Sequence, residues 1–159
     1  MFSVGDTVVY PIYGAGIIVD IETVKIDGKD MVYYVIDLPN GNLKIRISVK
    51  KAEELGVRRI YGDDKLKSAI CSVTDVPVEY HENWNQRYKD NLEKIKTGQL
   101  EQVTEVYRNL FLREREKGLS GAEKKMLNNT RQIIVSEIVY SCGLDKEKAE
   151  EFLFEALFG

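Results

Sequence analysis

The sequence predicts an α+β protein of two domains: a small β-barrel over residues 1–58, followed by an all-α bundle of about five helices over residues 59–159. From Gly5 to about Val49 the pattern is that of strands joined by tight turns, and the alternation of apolar and polar residues is clearest over residues 43–49. From about residue 63 apolar residues recur every three or four positions, which is the period of a helix. A chain of 159 residues can form two small domains, so we place the boundary near the change of period.

Four or five strands, formed by apolar runs and joined by tight turns, make up the predicted barrel. Asp27-Gly28 and Asn40-Gly41 are dipeptides typical of tight hairpins, and they separate the runs. In the third run, residues 43–49, apolar side chains alternate with polar ones, and the polar positions include Lys44 and Arg46. We therefore expect Arg46 to point to solvent.

Capping residues and glycines delimit the predicted helices. Ser120 and Glu123 have the S-x-x-E spacing of a capping box, and Asp145 can cap the last helix. Pro77 forbids a continuous helix through the connection that precedes the only tryptophan. The predicted spans are 63–73, 83–97, 99–117, 120–142 and 145–158.

The composition argues against several classes of protein. His81 is the only histidine, and no cluster of Cys and His is present, so we expect no enzyme, no metal site, no cofactor and no small-molecule substrate. The N-terminus lacks a signal-peptide pattern and no apolar run could span a membrane, so a cytoplasmic location is expected. Cys71 and Cys142 are far apart in sequence, and we expect both to be reduced and buried.

Trp84 is the only tryptophan and stands at the start of the second predicted helix. Asn83 is a favourable N-cap and Gln86 follows three residues later, as in a variant of the capping box. Trp84 would then lie beside free backbone N–H groups that favour a phosphate. A core position is the alternative, because positions 84, 88, 92 and 95 are all apolar and share one helical face.

Positive charge is concentrated in one segment, although the net charge of the chain is −3. Residues 84–135 hold 11 basic and 7 acidic side chains, whereas residues 136–159 hold 2 and 6. Such a surface could contact a few phosphates, and its affinity for DNA would be weak and dependent on salt; a solvated helix face is the alternative. The basic residues are Arg87, Lys89, Lys94, Lys96, Arg108, Arg113, Arg115, Lys117, Lys124, Lys125 and Arg131.

Several long motifs resemble the CarD/CdnL family of bacterial regulators that bind RNA polymerase. In the first half these are VGDTVVYP at residues 4–11, YGAG at 13–16 and IET at 21–23. In the second half they are NWNQRYKDNLEK at residues 83–94 and GLSGAEKKML at 118–127. The resemblance covers essentially the whole chain, and the motifs occur in the family's order.

This resemblance implies a Tudor-like or SH3-like β domain that docks on the polymerase β subunit, and a helical domain that contacts promoter DNA. Trp84 would act as a wedge at the upstream fork of the transcription bubble. Val24 and Gln86 stand where some members of the family carry a basic residue. The implied polymerase-binding residues are Val24, Lys44 and Arg46, and the implied DNA-binding residues are Trp84, Gln86, Arg87, Lys89, Lys124 and Lys125.

The resulting hypothesis is a transcription regulator that stabilises the open promoter complex without reading base sequence. It requires the melted DNA to be bound better than the closed duplex, since only differential binding shifts an equilibrium. The alternative is an adaptor that joins two proteins and does not touch DNA. Contact with the upstream fork that weakens as salt rises would distinguish the regulator from the adaptor.

Overall fold

The computed structural model describes residues 1–159 and has an antiparallel sheet followed by a bundle of helices. The strands are β1 (Thr7–Tyr10), β2 (Gly14–Ile26), β3 (Lys29–Leu38), β4 (Leu43–Ser48) and β5 (Arg58–Arg59). They lie in the order β4, β3, β2, β1, β5. The predicted α+β layout is therefore observed. The Tudor-like barrel stays a prediction, as does the domain boundary after residue 58, which falls inside β5.

Five of the six helices match the predicted spans to within one residue at each end. Asn83, Ser120 and Asp145 are N-caps whose side chains accept backbone N–H groups of the first turn, as predicted. A short 3-10 turn at Val73–Asp75 follows the second helix. The helices are α1 (Val49–Leu55), α2 (Asp63–Ser72), α3 (Trp84–Lys96), α4 (Leu100–Glu116), α5 (Gly121–Cys142) and α6 (Lys146–Phe158).

Helix α1 was missed, because the alternation of β4 was extended through Val49. Ser48 ends the strand and caps the helix, since its Oγ accepts the Lys51 N–H at 3.1 Å. Gly56 ends the helix in the left-handed conformation at a φ of 85°. Both signals were present in the sequence, but seven residues are too few to show a helical period.

The first hairpin turn is as predicted, whereas the second is longer than a tight two-residue turn. Asp27 and Gly28 both have positive φ, at 51° and 76°, as a two-residue type I′ turn requires. The second connection takes four residues, 39–42, because Leu38 pairs with Leu43. A bulge at Val19 shifts the pairing of β2 with β3, so apolar side chains stay on the inner face on both sides of it.

The structure bears on three of the composition arguments. None of its helices is both long and apolar enough to cross a membrane. No three His, Cys, Asp or Glu side chains are grouped as a metal ion would need. Both cysteines are free thiols, but Cys71 is exposed and Cys142 half-buried, so their predicted burial was wrong.

Two apolar cores meet at a polar junction. One core lies between the inner face of the sheet and α1, and the other fills the helical bundle. At the junction Glu137 of α5 is 2% exposed and accepts both terminal nitrogens of Arg58 from β5 at 2.9 Å. Glu137 also accepts the Tyr61 N–H at 2.8 Å, and Arg58 Nε donates to the Gly98 carbonyl at 3.0 Å. These bonds join the sheet to α5 and to the turn between α3 and α4.

Gly14 lets the sheet approach α5 closely. Its φ is 99°, and a Cβ at this position would lie 2.7 Å from Ser136 Oγ. The next residue, Ala15, donates its backbone N–H to the same oxygen at 3.0 Å. A side chain at Gly14 would therefore meet both backbone strain and a collision.

We expect Glu137→Ala to lower the free energy of unfolding by about 3–5 kcal/mol, because Arg58 would be left largely buried without a carboxylate. Urea denaturation of the full chain measures this change. Glu151→Ala removes an exposed carboxylate of α6 and should cost less than about 0.5 kcal/mol. A loss below about 1 kcal/mol for Glu137→Ala would contradict a stabilising role for the junction.

Candidate nucleic-acid interface

Trp84 is the first residue of α3, and its side chain is 50% exposed. Asn83 caps this helix, and its Oδ1 accepts the Gln86 N–H at 3.1 Å. The Gln86 side chain does not complete the predicted capping box, because it donates to Asp90 Oδ1 at 2.8 Å. The indole thus stands at a helix N-terminus where backbone N–H groups remain free.

Burial increases along the helical face that begins at Trp84. Tyr88 and Leu92 are half-buried against the bundle core, and Ile95 is 2% exposed. An indole left half exposed forgoes about 100 Å² of apolar burial, or about 2 kcal/mol. Folding alone does not account for Trp84, whereas it accounts for the other residues of the stripe.

Arg87 does not lie where the predicted DNA contact requires it. Only 4% of Arg87 is exposed, and its Nε and Nη2 donate to the two carboxylate oxygens of Glu123 at 2.7 and 2.8 Å. Its Nη1 donates to the carbonyls of His81 and Glu82 at 2.9 and 3.1 Å. A guanidinium used in this way has no face left for a phosphate, so the assignment of Arg87 to DNA is corrected.

The sequence contained a signal for this burial. Positions 87 and 91 lie three and seven residues after Trp84, on the same helical face as Tyr88 and Ile95. Asn91 is also buried, at 7% exposure. A basic residue within a core stripe needs a buried partner, but the stripe does not identify that partner, which here lies 36 residues away.

Glu123 is fully buried at the first turn of α5 and remains charged. Burial opposes its charge, but hydrogen bonds from Arg87 and from Ser120 Oγ, together with the guanidinium charge, outweigh that effect. The pKa of Glu123 is therefore held below its ordinary value. The pair joins the N-terminal turn of α3 to that of α5, so both helix ends belong to one rigid surface.

Three lysines of the predicted set are exposed and take part in no ion pair: Lys89, Lys124 and Lys125. Lys125 lines a groove with Tyr88 and Leu92, which belong to the helical face that begins at Trp84. Lys124 lies in another groove, between α4 and α5. Because residues of a helix are about 100° apart, Lys89 points about 140° away from the Trp84 face.

Arg108 was counted with the basic surface, but it is 3% exposed. It donates to the carbonyls of Val73 and Val76, and the neighbouring Asn109 donates to the carbonyl of Glu79 at 3.3 Å. These contacts fix the connection between α2 and α3. The available positive surface is accordingly smaller than the sequence count, which made no distinction between buried and exposed arginines.

The predicted polymerase-binding residues share the outer face of the sheet. Val24 pairs with Met31, and alternation along β3 places Arg46 and Lys44 on that same face. Arg46 is half exposed, donates to Glu22 at 2.9 Å and lies 4.2 Å from the centre of the Tyr33 ring. This surface combines half-buried apolar side chains with charges near β4, an edge strand of the sheet.

Comparison with known proteins covers both halves of the chain. Residues 2–61 match the model of the CarD-like/TRCF RID domain, and residues 70–154 match that of the CarD C-terminal domain. YdeB, a candidate transcription factor of Bacillus subtilis (strain 168), is 34% identical over 152 residues. That alignment covers 96% of this chain and 99% of the relative.

We expect the stability that Glu123 contributes to depend on pH. A carboxyl whose pKa is lowered on folding stabilises the protein above its unfolded value, near 4.5, and loses this effect as the pH falls through the folded pKa. Glu123→Gln should therefore be clearly less stable at pH 7, with the difference shrinking below about pH 4.5. Chemical denaturation at several pH values tests this, with Glu93→Gln on the exposed side of α3 as control. A difference independent of pH would contradict it.

Proposed function

The chain belongs to the CarD family, and we propose that it is a transcription regulator that docks on the RNA polymerase β subunit and stabilises the open promoter complex. In this proposal, the outer face of the sheet binds the polymerase. Trp84 then acts as a wedge at the upstream fork of the transcription bubble. The exposed indole at the start of α3 is the observation that carries the proposal.

A half-exposed aromatic side chain can distinguish melted from paired DNA. At the fork, the end of the duplex offers a base whose stacking partner has already gone. In closed DNA the same contact requires two stacked pairs to be forced apart, at a cost of a few kcal/mol. Each 1.4 kcal/mol of this difference changes the ratio of open to closed complex about tenfold.

Phosphate contacts would hold the indole against the fork without reading sequence. Lys89, Lys124 and Lys125 are the free cations of the proposed surface, and Gln86 can add a hydrogen bond. If three phosphates are contacted, a rise in salt from 50 to 200 mM would weaken DNA binding about 40-fold. Such a weak site needs a tether, and docking on the polymerase supplies one by raising the local concentration.

The outer face of the sheet suits the docking role. Val24 would contribute apolar contact, while Lys44 and Arg46 lie on the edge strand β4, whose free backbone groups can meet another chain. We include all three residues in the proposed polymerase surface. No catalytic role is proposed, in keeping with a family of transcription regulators.

We expect Trp84→Ala to shorten the lifetime of the open complex about tenfold on a promoter that melts poorly, because the preference for melted DNA would be lost. Decay of the complex after addition of a competitor measures this lifetime. The matched control is Phe154→Ala on α6, which removes an aromatic side chain of similar exposure, 47% against 50%. An unchanged lifetime for a folded Trp84→Ala would favour the adaptor alternative, in which no DNA is touched.

We expect Arg46→Glu to weaken binding to the polymerase β subunit at least tenfold, because it reverses a charge in the proposed interface and places it beside Glu22. The free energy of unfolding should change by less than about 1 kcal/mol, since Arg46 is half exposed. Titration with the isolated β subunit measures the affinity, and Lys50→Glu on α1 is a control of equal charge change. Equal affinities for Arg46→Glu and wild type would remove Arg46 from the interface.

A further inference from the structure

We infer that Arg87 and Glu123 form a positioning device for Trp84: the buried pair fixes the indole in the one orientation that fits the DNA fork. This inference rests on the proposed function of Trp84. It assigns to Arg87 a role in DNA binding that is exerted through Trp84 and not through a phosphate.

The Arg87 side chain contacts two separate parts of the chain. Its Nη1 holds the carbonyls of His81 and Glu82, the two residues directly before the N-cap Asn83. Its other two nitrogens hold Glu123. One guanidinium therefore fixes the chain that enters α3 and attaches it to α5.

Few other contacts fix the position of Trp84. Half of its surface is in solvent, so packing around the indole cannot by itself determine its direction. Its backbone belongs to the first turn of a helix, where intrahelical hydrogen bonds are incomplete and fraying is common. The Asn83 cap and the Arg87 bonds are the contacts that oppose such fraying.

A buried arginine–glutamate pair is better suited to fixing geometry than to adding stability. Glu123 is fully buried, and a buried pair is a poor source of net stability, because the loss of hydration offsets much of the attraction. A bidentate Arg–carboxylate pair is strongly directional, however, and it specifies an angle between two helices. Lys124 and Lys125 follow Glu123 directly, so the same pair also sets their place relative to Trp84.

The test uses the double variant Arg87→Met with Glu123→Met in the full chain. We expect the bundle to stay folded when both buried charges are replaced by apolar side chains of similar length. Time-resolved fluorescence anisotropy of Trp84, the only tryptophan, then reports its freedom of motion without any DNA present. We expect a larger fast component of depolarisation and an open-complex lifetime at least threefold shorter, approaching that of Trp84→Ala. Glu93→Gln, which lies on α3 outside the pair, should match the wild type in both measurements.

Arg87→Lys is the second variant, and it keeps a positive charge beside Glu123. A lysine cannot donate simultaneously to a carboxylate in bidentate form and to two carbonyls. We therefore expect this variant to fold and still to show the increased motion of Trp84. If the double variant fails to fold, Arg87→Lys decides the matter alone.

The outcomes separate this inference from the proposed function. If Trp84→Ala shortens the open-complex lifetime while the pair variants leave both anisotropy and lifetime unchanged, the positioning role is wrong and the wedge stands. Increased motion of Trp84 with an unchanged lifetime would also overturn the positioning role. If Trp84→Ala has no effect on the lifetime, the wedge fails, whatever the pair variants do to the anisotropy.

Discussion

The junction of Arg58 with Glu137 determines how the two halves of the molecule are arranged. Glu137 is almost completely buried, and all three of its hydrogen-bond donors come from residues 58–61. Apolar surfaces can slide against each other at small cost, whereas a bidentate pair is satisfied at one angle only. The sheet also approaches α5 closely at Gly14, where the missing side chain leaves room for Ser136. The outer face of the sheet and the N-terminus of α3 are thus held in one relative position, which the proposed docking on the polymerase with simultaneous contact to DNA requires.

Three arginines of this protein have a structural role that the three lysines proposed to contact DNA do not share. Arg87 and Arg108 are buried and Arg58 nearly so, and each holds carboxylates or backbone carbonyls that belong to other elements. A planar guanidinium with five donors is suited to such use, while an ammonium group is more strongly hydrated. Lys89, Lys124 and Lys125, in contrast, are exposed to solvent. These three arginines therefore hold elements of the fold together, while Lys89, Lys124 and Lys125 supply exposed positive charge.

Weak DNA binding is consistent with the proposed role. A net charge of −3 with only Lys89, Lys124 and Lys125 as the proposed phosphate contacts would give little affinity for duplex DNA in solution. A protein that the polymerase brings to the promoter does not need a higher affinity for DNA, because its effective concentration at the fork is set by the docking site. A strong general affinity for DNA would instead distribute it over the chromosome. Positioning of the indole then matters more than total charge.

The sequence alone was enough to predict the class of the fold and the limits of five helices, because periodicity, capping residues and glycines act within a few residues of one another. It also placed Trp84 at the first turn of α3 and Arg46 on the outer face, since both follow from local spacing. Helix α1 was the local feature it missed, where strand alternation continued into seven helical residues. The pairing of Arg87 with Glu123, and the role of Arg58 in joining the two halves, became evident only in the folded protein. Burial and ion pairing of these arginines depend on glutamates that lie 36 and 79 positions away in the sequence. A count of charges along the chain does not show which charged residues meet in the folded protein.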